Sequence, residues 1–127
     1  METYPIKDNN ELQFGFEIDK VYIGPKKIAQ LLLEVPAVTN IECRRMFDFG
    51  NEIHVEFEYL SEKFVVWEPH GDSSRYWICP RNKQPLGEID ISALEWVFKQ
   101  YRPSFFVKFL GDILSLNFIK RLRPRAQ

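Results

Sequence analysis

The feature that most constrains this chain is a strict two-residue alternation. Ile53, Val55, Phe57 and Tyr59 alternate with Glu52, His54, Glu56 and Glu58. Neighbouring side chains of a strand point to opposite faces, so this pattern predicts a strand with one face buried and the other wet. Leu12, Phe14, Phe16 and Ile18 repeat the pattern against Gln13, Gly15, Glu17 and Asp19. Two further apolar runs, Phe64 to Trp67 and Tyr76 to Cys79, flank the polar, turn-forming segment Glu68-Pro69-His70-Gly71-Asp72-Ser73-Ser74-Arg75. Such runs read as two strands joined by a loop wider than a tight turn. Half-wet strands with little between them belong to an antiparallel meander.

Between these runs lie helical signals. Alternation falters near Lys20, and Gly24-Pro25 ends the first strand, with Pro25 suited to the first position of a helix. Ile28, Leu31 and Leu32 then share a helical face, and Pro36 closes it. Asp90 or Ser92 can cap a second helix in which Leu94, Val97, Phe98 and Tyr101 recur on one side before Arg102-Pro103. Phe105, Phe106, Phe109, Leu110 and Ile113 return at helical spacing, while 114–122 fits either a helix or a strand. A strand over 41–49, interrupted at Arg45, and tight connections at Gly50-Asn51 and Ser61-Glu62 complete the reading. The polar residues 1–10 read as a flexible arm and 120–127 as a basic tail. The expectation is one α+β domain over 1–127: an antiparallel sheet of about five strands with helices packed mainly on one face.

With 127 residues, 45% hydrophobic and 15% aromatic, the chain can bury a core of its own. A net charge of −1 gives no global field toward nucleic acid or membrane. The charge is uneven: residues 1–60 carry 11 acids and 6 bases, residues 61–127 carry 7 and 11, with Lys120, Arg121, Arg123 and Arg125 close together. The first residues lack the pattern of a signal peptide, and no apolar run approaches the roughly 20 residues that span a bilayer. Cys43 and Cys79 fall in strand patterns and read as buried free thiols of a reducing compartment. These features predict a cytoplasmic protein.

The wide loop holds the densest reactive set. His70 as base, Asp72 as its orienter and Arg75 as an anion binder would suit a small hydrolase or transferase. Gly71, Asp72 and the serines also satisfy a wide turn for backbone reasons alone, and no nucleophile elbow surrounds them, so the turn reading outweighs catalysis. Only His54 and His70 with two lone cysteines are on offer as soft ligands, and no paired spacing predicts a metal site. Neither a Walker loop nor G-x-G-x-x-G occurs, and no cofactor is expected. Arg75, Arg81 and Lys83 beside Tyr76 and Trp77 suggest a stacking surface for nucleic acid, but Glu42, Glu52, Glu56 and Glu58 oppose it. Phe105–Arg125 carries too few bases along its length for an interfacial membrane helix.

If Phe64 and Val66 face the core, Val65, Trp67 and Trp77 point the other way, among carboxylates. Aromatic anchors ringed by polar groups are how protein-binding hot spots are built. The expected function is therefore a small non-enzymatic protein-binding module, inhibitor- or immunity-like in size and composition. It would use Trp67, Glu68, His70, Asp72, Arg75 and Trp77, with a protein partner or a second copy of itself.

Overall fold

A computed structural model gives the fold and describes residues 1–43, 53–69, 74–87 and 89–102. The strands are β1 (Tyr4–Lys7), β2 (Gln13–Asp19), β3 (Val38–Cys43), β4 (Ile53–Tyr59), β5 (Glu62–Trp67) and β6 (Arg75–Pro80). The helices are α1 (Pro25–Leu32) and α2 (Ser92–Gln100), and a 3-10 turn, Lys20–Tyr22, follows β2. All six strands form one antiparallel sheet in the order β1-β2-β6-β5-β4-β3. The architecture is α+β as expected, but among the described residues the sheet has six strands rather than about five. The difference is β1, which lies within the stretch expected to be an arm and pairs with β2 as an edge strand.

After the β1–β2 hairpin the chain crosses through α1 to the far edge of the sheet. The β3-to-β6 meander then returns until β6 pairs with β2. Both helices lie on one face because their apolar stripes have the same sink. Ile28, Leu31 and Leu32 of α1 and Leu94 and Phe98 of α2 join Phe16, Ile18, Val55, Phe57, Phe64, Val66 and Ile78 in a single buried cluster. Phe16, Phe64 and Phe98 are fully buried, and each such side chain contributes about 1.5–3 kcal/mol relative to exposure. Pro25 stands at the start of α1, where its missing N–H costs no helical hydrogen bond. Asp90 accepts hydrogen bonds from the Ser92 N–H and hydroxyl ahead of α2. The Tyr59 hydroxyl donates to the Asp90 carbonyl at 2.6 Å, tying that connection to β4.

Both sheet edges are irregular. The register shifts between Ile6 and Lys7 in the Pro5-containing β1, and between Thr39 and Glu42 in β3, where Asn40 adopts a positive φ of 52°. Proline and bulges at edges discourage further strand pairing.

A third irregularity changes which side chains share a face. Ile53 pairs with Trp67, yet Val55 pairs with Val66, so β4 carries one extra residue at His54. A bulge of this kind breaks the alternation that the sequence predicts. Ile53 pairs on the outer face, and His54 turns to the helix side, against the ring of Tyr76 at 5.3 Å. The expectation that His54 joins Glu56 and Glu58 on the outer face is corrected by this bulge. The Gly50-Asn51 connection, the helical stretch from Ser104 and the basic tail lie outside the described residues.

Candidate interaction site

Strand pairing places one row of side chains across the outer face, the face away from the helices. Tyr4 pairs with Glu17, Glu17 with Trp77, Trp77 with Trp67, and Trp67 with Ile53. The two indoles meet edge-to-face, with centroids 5.3 Å apart and planes at 86°. That is the arrangement ring quadrupoles favour. The Trp77 Nε1–H donates to Glu17 Oε1 at 2.9 Å, and Lys83 Nζ sits 4.4 Å above the Trp67 ring.

Beside Glu17, Arg75 extends the network. Its Nε lies 3.3 Å from Asp19 Oδ1 and its Nη1 3.5 Å from Glu17 Oε2, while the guanidinium stacks 3.6 Å from the Tyr4 ring centroid. The Tyr4 hydroxyl lies within hydrogen-bond distance of Glu2 (3.0 Å) and Asp19 (3.2 Å). The hydrogen bond to Glu2, then burial and Asp19, push its phenol above the ordinary value. Trp67, Trp77 and Arg75 are all half-buried. The row is thus a preset array of two indoles, a stacked cation and their carboxylate partners.

The adjoining row is tighter. Cys79 pairs with Val65, Val65 with Glu56, and Glu56 with Glu42. Gly15 lies so close to β6 that a Cβ there would fall 2.6 Å from the Ile78 carbonyl oxygen and 2.8 Å from Cys79 Cβ. Val65 and Cys79 are fully buried, and burial pushes the Cys79 thiol up to about 12. Toward β3, a concavity of about 220 Å³ includes Glu42, Glu56, Glu58, Lys63 and Arg81 in its lining. Glu42 and Glu56 face each other directly, a like-charge arrangement that Arg81, 3.6 Å from Glu56, offsets.

On the opposite face, Glu68 is only 8% exposed, the one buried charged residue among those described. Its carboxylate is bonded to Lys20 through Oε1 and to His54 Nε2 at 2.8 Å through Oε2. Burial acts to raise the Glu68 carboxyl, but the hydrogen bonds and charges of Lys20 and His54 outweigh it and hold the value below the ordinary carboxylate range. Burial and the Glu68 charge together raise the Tyr76 phenol.

The residues expected at the contact surface therefore divide. Trp67, Trp77 and Arg75 come together on the outer face. Glu68 lies on the other side of the sheet, and His70 and Asp72 lie outside the described residues. Tyr4, Glu17 and Asp19 join Trp67, Trp77 and Arg75 without being candidates from sequence, and Lys83, which the sequence suggests only for a nucleic-acid surface, lies over Trp67. Glu17 and Asp19 alternate with Phe16 and Ile18, so their outward direction was readable; their pairing with β6, over 50 positions away, was not. Trp96 is another omission, 58% exposed on α2, two positions from buried Leu94 and hence off the buried face.

Among the described residues no group of three or more His, Cys, Asp or Glu is placed to hold a metal ion. No described helix is long and apolar enough to cross a membrane. No family model, curated protein or solved structure matches the chain.

Proposed function

We propose that this protein is a small, non-enzymatic binding module of the cytoplasm whose partner is another protein, docked on the outer sheet face. The observation that carries this reading is the half-buried Trp67–Trp77 pair, held edge-to-face and flanked by Arg75, Glu17 and Lys83. Tryptophan, tyrosine and arginine dominate interface energetics because they combine large apolar area with directional polar groups. Here their neighbours already fix them, so docking orders little that is not ordered beforehand. The acids of the same face, Glu42, Glu56 and Glu58, repel phosphate and favour protein over nucleic acid. A second copy of the chain is the nearest variant of the same partner. The free thiols of Cys43 and Cys79 suit a reducing compartment.

The test is affinity capture from native cytosol with the wild type beside the double variant Trp67→Ala, Arg75→Ala, both checked for folding, with sedimentation of each to read self-association. A protein, or a second copy, held by the wild type and released by the folded variant supports the reading. Equal retention by both, or a wild type that stays monomeric and captures nothing, removes it.

A further inference from the structure

Each residue of the inner polar cluster is the chain neighbour of a residue on the outer face. Lys20 follows Asp19, His54 follows Ile53, Glu68 follows Trp67, and Tyr76 precedes Trp77. Neighbouring side chains leave a strand on opposite sides, so fixing one constrains the backbone that presents the other. The cluster also sits where the ladder ends. Trp67↔Trp77 is the last rung between β5 and β6, and Glu68 is the first residue beyond it. A last rung frays unless something beyond it is tied down.

Glu68 supplies that tie in two directions. It bonds to Lys20, in the turn after β2, and to His54, in the bulge of β4, while the His54 ring rests edge-on against Tyr76 of β6. Lys20 is itself anchored by its N–H donating to the Ser74 carbonyl at 3.0 Å. Four segments thus converge on one carboxylate directly behind the tryptophan pair. A buried charge that leaves no unsatisfied partner specifies geometry more than it adds stability.

We infer that the Lys20–Glu68–His54 cluster is a positioning device for the tryptophan face: it fixes the last β5–β6 rung and, through it, the edge-to-face geometry of Trp67 on Trp77. Use of that geometry by a partner rests on the binding reading above; the effect on the rings does not. Among the described residues, the groups that face the Glu68 carboxylate are Lys20 from the turn, His54 from β4 and the Tyr76 phenol from β6. Glu68, Lys20 and His54 are positioning residues in this scheme, and Trp67 and Trp77 make the contact.

Two indoles in edge contact give an exciton couplet in the far-ultraviolet circular dichroism spectrum, which shrinks when their angle or separation is lost. The experiment compares its amplitude in the wild type, Glu68→Gln, His54→Leu and His54→Gln, with Trp67→Phe as the zero. Glu68→Gln and His54→Leu are expected to lose about half the couplet or more while folded, as site geometry loosens when its support is removed. His54→Gln, whose amide can still donate to Glu68, is expected to retain most of it. A full couplet in folded Glu68→Gln overturns the inference. So does an equal amplitude in the two His54 variants, which decide the matter alone if Glu68→Gln does not fold. A couplet that falls as expected in a protein that captures no partner keeps the positioning role and removes the binding reading.

Discussion

The two faces of this sheet are assembled by different forces. On the inner face, Phe16, Phe57, Phe64, Val66 and Ile78 pack beneath Leu32, Leu94 and Phe98, and the contacts are apolar and closed to water. On the outer face, β1, β2, β5, β6 and the turn after β6 carry a network of rings, cations and a carboxylate: Tyr4, Arg75, Glu17, Trp77, Trp67 and Lys83. Apolar burial is non-directional and scales with area, so the inner face supplies stability. Ring and ion-pair contacts at half-buried sites add little stability but fix orientation. The lesson is a division of labour across one sheet thickness, with one side holding the fold and the other holding a shape.

The sharpest way to break that division is to truncate one aromatic on each side. Phe64→Ala, at a fully buried position, is expected to lose about 3–5 kcal/mol in urea denaturation. Trp67→Ala, at a half-buried position, is expected to cost clearly less than that, on the order of 1–2 kcal/mol for partial aromatic burial plus a ring pair. Equal losses would make the outer face a second core and withdraw it as a contact surface.

Acid tests the link between the faces. Because the folded-state Glu68 carboxyl lies below its unfolded value, its contribution is present above the unfolded pKa and disappears as pH falls through the folded one. Wild-type stability measured by denaturation between neutral and acid pH should therefore decline more steeply than that of Glu68→Gln. At neutral pH the variant should be less stable by about 1–3 kcal/mol, the usual range for a charge-assisted bond lost near the interior. Parallel pH curves would mean that the carboxylate is not held by Lys20 and His54 in the folded protein.

Gly15 offers a smaller perturbation confined to the outer side. Alanine there would set a methyl against the Ile78 carbonyl oxygen, a backbone atom that cannot swing away. Gly15→Ala is expected to cost about 1–2 kcal/mol through forced separation of β2 from β6. The same separation should reduce the Trp77–Glu17 hydrogen bond, read as a shift of the Trp77 indole N–H resonance. A variant with an unshifted resonance would show that the two rows of the outer face are independent.

How much of this could be read from residues alone follows the range of the forces involved. Alternation in 12–18 and 53–59 gave strands, Pro25 gave a helix start, and the stripe Leu94, Val97 and Phe98 gave a second helix, because each signal is local. β1 escaped because four residues with a proline show no alternation of their own; it is a strand only because β2 offers an edge. The direction of His54 escaped because a bulge is set by pairing with β5; the extra residue reverses Ile53 and His54 while Val55 to Tyr59 keep the faces that alternation predicts. Glu68 looked like a surface acid because nothing near it in sequence announces Lys20, 48 positions away. The outward direction of Trp67 and Trp77 was legible, whereas the network that holds them was not.

The mildest test concerns the two thiols, which the sequence treats alike and the fold does not. Cys43 is exposed on the edge strand β3, whereas Cys79 is buried in the row beside the tryptophans. The thiolate is the reactive form, so a thiol pushed up to about 12 is protonated at neutral pH as well as shielded. Titration of the native protein with a colorimetric disulfide reagent should therefore release a single rapid equivalent, from Cys43, and Cys43→Ser should abolish it. The second equivalent should follow only on unfolding. If Trp67→Ala leaves the fold intact but brings Cys79 into the rapid phase, the tryptophan row is what seals the adjoining row. If Cys79 stays silent in that variant, closure of the row comes from its own packing at Gly15 and Val65, and the tryptophans are left with orientation as their role.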